Sequence, residues 1–382
     1  MVLIIFTILY SFILLTITYG INCNKTKIKH TEPRWFIYVI IACKNEESQI
    51  ERLINSLINQ SYNNDMYKVI FSDDGSTDST AEIIKQKIRN HKNFHYIYVD
   101  EKTLPDIVGK KKAITHAIET QCNISSNNIL AFTDSDCEPD TGWLHDINNA
   151  FNNGCDFYAG YSPIVNKTSA SPPSPIKLII QHIIYKLKNI ERASIFAISS
   201  GSFGLSVPLT CTARNMAYKS TLWQQTEGFS NISHIRSGDD DLMLLKMRKM
   251  IKNYHFSFND KAFVNTYENK NIRTMIDQET RRTSKLKYYP NYIKLLLVFV
   301  TIYYLILIYG IIISLLTNCF NIYIIYSLIA KLLAEFTLLS IFLIKVKNYR
   351  IMKYFLLAEL IYIPYFLFFG IKGSLGKYRW KK

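Results

Sequence analysis

The chain has 382 residues, and its 45 lysines and arginines against 30 aspartates and glutamates give a balance of +15. Hydrophobic residues make up 48% and charged ones 20%, which excludes a disordered chain. A strongly basic protein suits nucleic acid, anionic lipid or phosphorylated substrates, but no zinc-finger spacing, RNP-like run or arginine-rich tract favours nucleic acid, so that partner is not expected.

The first predicted element is apolar from Val2 to Ile21, long enough to cross a bilayer. It has no basic n-region and no small-residue cleavage site, so residues 1–21 read as a retained anchor. Lys25, Lys27, Lys29 and Arg34 follow at once, and the positive-inside rule places the next segment in the cytoplasm. The seven cysteines are scattered without a C-x-x-C pair, which fits free thiols in a reducing compartment.

From Trp35 strands and helices alternate. The apolar run from Phe36 to Ala42 predicts a buried parallel strand. Ile50, Leu53, Ile54, Leu57 and Ile58 then repeat at helical spacing, with Asn45 and Glu46 expected at the helix start. A second strand over Lys68–Phe71 runs into Ser72-Asp73-Asp74-Gly75-Ser76, and a helix bearing Ala81, Ile84 and Ile88 follows. A third strand covers Phe94–Val99. Gly109-Lys110 opens a helix with Ala113, Ile114, Ala117 and Ile118 inward, and Lys111 and Lys112 are expected to be solvated. The run from Ile129 to Phe132 is a fourth strand, ending at Thr133-Asp134-Ser135-Asp136-Cys137. This alternation predicts an α/β fold with a mostly parallel sheet and helices on both faces.

After the Ser169–Pro175 linker, Ile176–Ile198 is helical in period, either lying on a membrane surface or forming a core helix. Ser237-Gly238-Asp239-Asp240-Asp241 precedes another helix. Beyond Pro290, Ile293–Leu316 and Ile322–Ile344 are long enough to span, and Ile351–Ile371 is a third segment interrupted by Glu359 and Pro364. Basic residues on both sides of that last segment, and a carboxylate costly in open lipid, favour a re-entrant or interfacial path over one more crossing. The expected organisation is an anchor at 1–21, a globular domain at 34–289, membrane segments at 293–371 and a basic tail at 372–382.

Asp134 and Asp136 are two carboxylates one residue apart at the end of a strand, where open α/β sheets bind ligands. With Ser135 turned away, both can share one hard cation such as Mg²⁺ or Mn²⁺. A surface turn is the other reading of the same residues. Asp73 and Asp74 at the preceding strand end can accept hydrogen bonds from a nucleobase N–H or ribose hydroxyls, or else form a turn and helix cap. Lys110 at a helix start can meet a diphosphate. Three adjacent carboxylates at 239–241 are crowded enough to poise one as a base, or they serve as a helix N-terminus.

Taken in order, Ile41-Ala42-Cys43-Lys44-Asn45-Glu46, Ser72-Asp73-Asp74-Gly75-Ser76-Thr77-Asp78, Gly109-Lys110, Asp134-Ser135-Asp136, Asn215-Met216-Ala217-Tyr218 with Gly228-Phe229, Gly238-Asp239-Asp240 and Gln278-x-x-Arg281-Arg282 resemble a membrane-bound family 2 glycosyltransferase of the GT-A fold. The resemblance implies an inverting enzyme that moves a sugar from a nucleotide-sugar, UDP-linked by expectation, to a lipid or lipid-linked acceptor at the cytoplasmic face of the cell membrane. It implies Asp240 as base, with Asp239 and Asp241 as rivals. Ala42, Asn45, Glu46, Asp73, Asp74, Lys110, Asp134, Ser135, Gln278, Arg281 and Arg282 are implied on the donor, and Asp134 and Asp136 on a divalent cation. Arg282 stands where the family's motif carries Trp, which removes a stacking platform for a sugar and counts against long-polymer synthesis. A processive synthase and a silent nucleotide-sugar-binding protein are the alternatives.

Overall fold

A computed structural model of the chain describes residues 1–24, 31–165, 175–267, 272–318 and 321–375. Most of the 169–175 linker, Lys25, Lys27 and Lys29, and the basic tail from 376 lie outside the described residues. In chain order the elements begin with α1 (Val2–Cys23), β1 (Phe36–Cys43), α2 (Ile50–Ile58), β2 (Tyr67–Asp73), α3 (Thr80–Ile88), β3 (Phe94–Tyr98), α4 (Lys110–Gln121) and β4 (Asn128–Phe132). Next come β5 (Cys137–Pro139), α5 (Trp143–Asn152), β6 (Phe157–Gly160), β7 (Ile164–Val165), α6 (Pro175–Gly204), β8 (Met216–Lys219), α7 (Ser220–Gln225) and α8 (Asp241–Met247). The last are β9 (Tyr254–Ser257), β10 (Val264–Tyr267), α9 (Ile272–Ser284), α10 (Asn291–Thr317), α11 (Ile322–Lys345) and α12 (Phe355–Ser374). The chain divides into an α/β unit, Asn24–Ser169 with Ser206–Glu268, and a helical unit, Met1–Cys23 with Ala170–Leu205 and Asn269–Lys382.

The α/β unit is built on a seven-stranded sheet in the order β3-β2-β1-β4-β8-β6-β9. The β1–β2, β2–β3, β1–β4 and β6–β9 pairs are parallel, while β8 runs antiparallel to both β4 and β6. The apolar runs that predict β1, β2 and β4 are buried on both faces, as a helix-covered parallel sheet requires, while β3 at the sheet edge is only partly covered. Ile37, Val39 and Ile41 on β1 and Val69 and Phe71 on β2 share one core with Leu53, Ile54 and Leu57 of α2 and Ile84 of α3. Cys43 pairs in register with Asp73, and Ile40 with Phe132, so the carboxyl ends of β1, β2 and β4 lie side by side. A smaller sheet, β5-β10-β7, accompanies the large one. None of the described cysteines is in a disulfide.

Three expectations change in this unit. Asn45 and Glu46 lie ahead of α2, which begins at Ile50; Asn45 takes a left-handed backbone at φ 53° and its side chain accepts a hydrogen bond from the Thr77 amide at 2.8 Å. Lys111 is not solvated but completely buried. Lys112 is largely covered and pairs with Asp74 at 3.0 Å.

In the helical unit, four helical stretches among the described residues are long and apolar enough to cross a membrane: Val2–Cys23, Asn291–Thr317, Ile322–Lys345 and Tyr349–Ser374. The Glu359 carboxylate is not open to lipid. Lys331, 2% exposed, reaches Glu335 at 2.6 Å and Glu359 at 2.5 Å, and the Tyr10 hydroxyl donates to Glu335 and lies 2.9 Å from that of Tyr304. This cluster draws one side chain or more from each of α1, α10, α11 and α12, and it answers the cost that a carboxylate meets in hydrocarbon. Gly201 of α6 lets α1 approach closely: a Cβ there would sit 2.3 Å from the Ile17 carbonyl. α6 buries Ile190, Ala193 and Ala197 and leaves Ile179 and Ile180 exposed.

Candidate active site

The site lies where the carboxyl ends of β1, β2 and β4 meet the segments before β8 and α8. Parallel strands direct their following loops to one edge of the sheet, which is why these short polar stretches converge. Asp134 lies just past β4, after Thr133, and forms an ion pair with Lys110, the first residue of α4. Its other oxygen faces the Arg214 Nε at 3.6 Å. Lys110 also reaches Asp239 at 3.4 Å and so bridges the two acidic stretches. Arg214 gets there because β8 pairs antiparallel with β4, Phe132 opposite Met216.

Asp134, Asp136 and Cys137 each bring a potential ligand atom within 4.8 Å of the others. Two oxygens on one cation at about 2.0–2.1 Å lie at most about 4.2 Å apart, so a small side-chain adjustment closes the pair on an ion. Ser135 is buried between them, 8% exposed. The Cys137 thiol is fully buried, and burial, then the neighbouring Asp136 and Asp134 carboxylates, push its pKa well up; it stays a protonated, packed thiol. The donor set that fits a cation is therefore two carboxylates, the set a hard Mg²⁺ or Mn²⁺ ion takes.

Electrostatics bind the cluster together. Burial works against the Asp134 carboxylate, but the Lys110 and Arg214 charges outweigh it and hold its pKa below the ordinary value. Burial likewise opposes the Lys110 ammonium, and Asp134 and Asp239 more than compensate, so its pKa rises. Arg214 is raised in the same way by Asp134 and Asp136 against its own burial.

Asp73 is 1% exposed, and its carboxylate accepts from the Ser76 amide at 2.8 Å, the Ser76 hydroxyl at 2.6 Å and the Tyr96 hydroxyl at 2.9 Å. It shapes the turn that presents Asp74, which faces Lys112 at 3.0 Å and Lys44 at 4.0 Å. The Glu46 amide donates to the Thr80 hydroxyl at 2.8 Å, fixing the neighbouring loop, and Ala42 is buried on β1. Asp240 occupies the N-cap of α8, its side chain accepting from the Asp241 amide at 2.8 Å; its charge still acts on Asp134 and Lys110. Asp241 is buried and accepts from the Leu242 amide at 2.8 Å.

Gln278, Arg281 and Arg282 lie on α9, in the helical unit. Arg282 pairs with Glu191 at 2.5 Å and Glu279 at 2.6 Å. Asn215 serves packing: it accepts from the Trp143 indole at 2.9 Å and donates to the Tyr161 and Ala262 carbonyls. Arg214, Lys111 and Lys112 escape sequence reasoning. Arg214 carries the one visible signal, a lone cation directly before the Asn215-Met216-Ala217-Tyr218 motif.

The mostly parallel sheet, with this acidic cluster at its edge, resembles the sheet of GT-A structures. A mannosyltransferase from Pyrobaculum calidifontis, solved with GDP-Man and Mn²⁺, superposes with a TM-score of 0.51 at 14% identity, covering 98% of each chain. Residues 38–206 match the family model Glycosyl transferase family 2. Among curated proteins it is similar to glycosyltransferase AglE of Haloferax volcanii, 36% identical over 109 residues, which are 28% of this chain and 33% of that one. It is also similar to a beta-monoglucosyldiacylglycerol synthase of a Nostoc species, 29% identical over 103 residues, 27% of this chain and 20% of that one. A third relative is a dolichyl N-acetyl-alpha-D-glucosaminyl phosphate 3-beta-D-2,3-diacetamido-2,3-dideoxy-beta-D-glucuronosyltransferase of Methanococcus voltae, 38% identical over 69 residues, 18% of this chain and 21% of that one. The matches span a third or less of these relatives' length.

Proposed function

We propose that the chain transfers a sugar from a nucleotide-diphosphate sugar, UDP-linked by preference, to a hydroxyl of a lipid or lipid-linked acceptor, with inversion. The observation that carries this is the single cluster of Lys110, Asp134, Arg214 and Asp239, with Asp136 alongside, at the carboxyl edge of the parallel strands. Asp134 and Asp136 would hold a divalent cation, which would supply electrostatic neutralisation of the departing diphosphate. Lys110 and Arg214 add fixed positive charge at the same place. Asp74, presented by the Asp73 turn, contacts the nucleoside. Asp240 accepts the acceptor hydroxyl's proton as its oxygen bonds to the anomeric carbon, and the bond from that carbon to the diphosphate breaks on the opposite face.

The lipid acceptor is supported by four helices among the described residues with the length and hydropathy to span, and by relatives whose names include diacylglycerol and dolichyl phosphate compounds. Lys25, Lys27, Lys29 and Arg34 after α1 support a cytoplasmic catalytic domain in the cell membrane. A processive synthase is disfavoured, because the guanidinium of Arg282 is engaged by two carboxylates and offers no aromatic platform. The test is a screen of UDP- and GDP-sugars for transfer into membrane extract, with chelated metal as control. Incorporation of one sugar into a lipid-extractable product supports the reading; no incorporation from any donor contradicts it.

A further inference from the structure

Lys111 is a buried cation that the reaction above does not use. It sits in the first turn of α4, 0% exposed, next to Lys110. Its ammonium donates to the carbonyls of Ile232 at 2.7 Å, Ile235 at 2.9 Å and Ser237 at 2.9 Å, and lies 5.6 Å from the centre of the Phe229 ring. An ammonium has three N–H groups, one for each of these carbonyls. All three belong to one turn-rich stretch that has no sheet or helix ladder to satisfy its carbonyls.

The same stretch is tied to the start of α4 at two more points. The Val108 amide donates to the Ser233 carbonyl at 3.1 Å. The Arg236 carbonyl lies 3.1 Å from where a Cβ on Gly109 would be, so only a glycine at left-handed φ (+66°) admits it without a shift. Directly after Ser237 come Gly238, at φ +85°, then Asp239 and Asp240. Thus two consecutive lysines act on one loop: Lys110 meets the carboxylate of Asp239, and Lys111 holds the backbone that delivers it.

We propose that Lys111 is a positioning residue, a cationic latch that fixes segment 229–238 so that Asp239 and Asp240 stand in register with Lys110 and Asp134. A buried charge is costly unless it is fully hydrogen-bonded, and an apolar side chain would fill the space more cheaply but take the lysine donor from the Ile235 and Ser237 carbonyls and leave the Ile232 carbonyl only the Ile235 amide at 3.2 Å. The latch rests on the reading of Asp239 and Asp240 as acceptor-side groups only for its effect on turnover; its effect on the loop stands apart.

The experiment uses the full chain in detergent, comparing wild type with Lys111→Met and Lys111→Arg. Hydrogen exchange of peptides covering 229–238 needs no substrate. The expectation is roughly tenfold or greater acceleration in Lys111→Met, partly reversed in Lys111→Arg, with peptides of β1 and β2 unchanged. With the donor identified by the screen, kcat falls about 10–100-fold while the donor KM stays within about twofold, because a displaced base loses alignment but the nucleotide side is untouched. Unchanged exchange in 229–238 overturns the latch. A loosened loop with unaltered kcat overturns its link to catalysis. Absence of transfer by the wild type overturns the proposed reaction and leaves the exchange result to judge the latch. Should Lys111→Met not accumulate folded protein, Lys111→Arg carries both measurements, with smaller effects expected and the same contrary results.

Discussion

Asp134 is gripped by Lys110 and faced by Arg214, while Asp136 stands beside it without either lysine or arginine at ion-pair distance among the described residues. The two carboxylates therefore differ in the resting protein: Asp134 already has two counter-cations, whereas Asp136 has none at that distance and is the one left for the proposed cation. Replacing Asp136 by Asn should abolish Mn²⁺ binding, read by manganese paramagnetic resonance, and lower transfer by at least about 10³-fold, since metal stabilisation of the leaving group is worth several kcal/mol. Retained Mn²⁺ binding in that variant would show the ion to be held elsewhere. The depressed pKa of Asp134 has a pH consequence. A carboxylate whose folded pKa is lowered contributes stability above its ordinary value, and that contribution is lost as pH falls through the folded value. The melting temperature in detergent should thus drop as pH is taken below about 4, and Asp134→Asn should lack that part of the drop.

Part of this site is legible in sequence because the motif residues are local. Asp134-Ser135-Asp136 and Gly109-Lys110 are short patterns beside recognisable strands and helix starts. Lys111 is illegible because its partners, Ile232, Ile235 and Ser237, lie more than a hundred residues onward and are backbone atoms. A lysine at a helix start looks the same whether it faces water or a loop's carbonyls. Lys112 is misread for the same reason, its partner Asp74 lying at the end of β2, well back along the chain.

At the scale of elements, strands β1 to β4 announce themselves as apolar runs between turn residues, and the structure finds them within a residue or two. The strands β5 to β10 are two to four residues each, and most pair with partners far along the chain, so no period marks them. The antiparallel insertion of β8 between β4 and β6, which delivers Arg214, is invisible for that reason. The long apolar helices are legible from length alone. What length conceals is the polar cluster among them. Lys331 answers both Glu335 and Glu359, so Lys331→Met leaves two buried carboxylates unpaired and should cost about 3–5 kcal/mol. The triple variant Lys331→Met, Glu335→Gln, Glu359→Gln should recover most of that in a detergent melting experiment, whereas equal losses in both would mean the pairing contributes nothing.

For the molecule as a whole, the proposed function asks a basic chain with apolar helices and an acidic cluster to bring anionic membrane, phosphorylated donor and lipid acceptor to one protein. The +15 balance suits an anionic membrane surface and a diphosphate donor alike. After expression the full chain should stay in the membrane fraction through alkaline carbonate extraction, as several spanning helices require; release into the supernatant would contradict the membrane reading. The most direct test of the central claim is sugar transfer from a radiolabelled nucleotide-sugar by the purified full chain, with and without chelator, in wild type and in Asp136→Asn and Asp240→Asn. The account predicts transfer that needs added Mn²⁺ or Mg²⁺, is lost in Asp136→Asn, and falls by about 10²–10⁴-fold in Asp240→Asn. Full activity in both variants, or transfer indifferent to chelation, would contradict it.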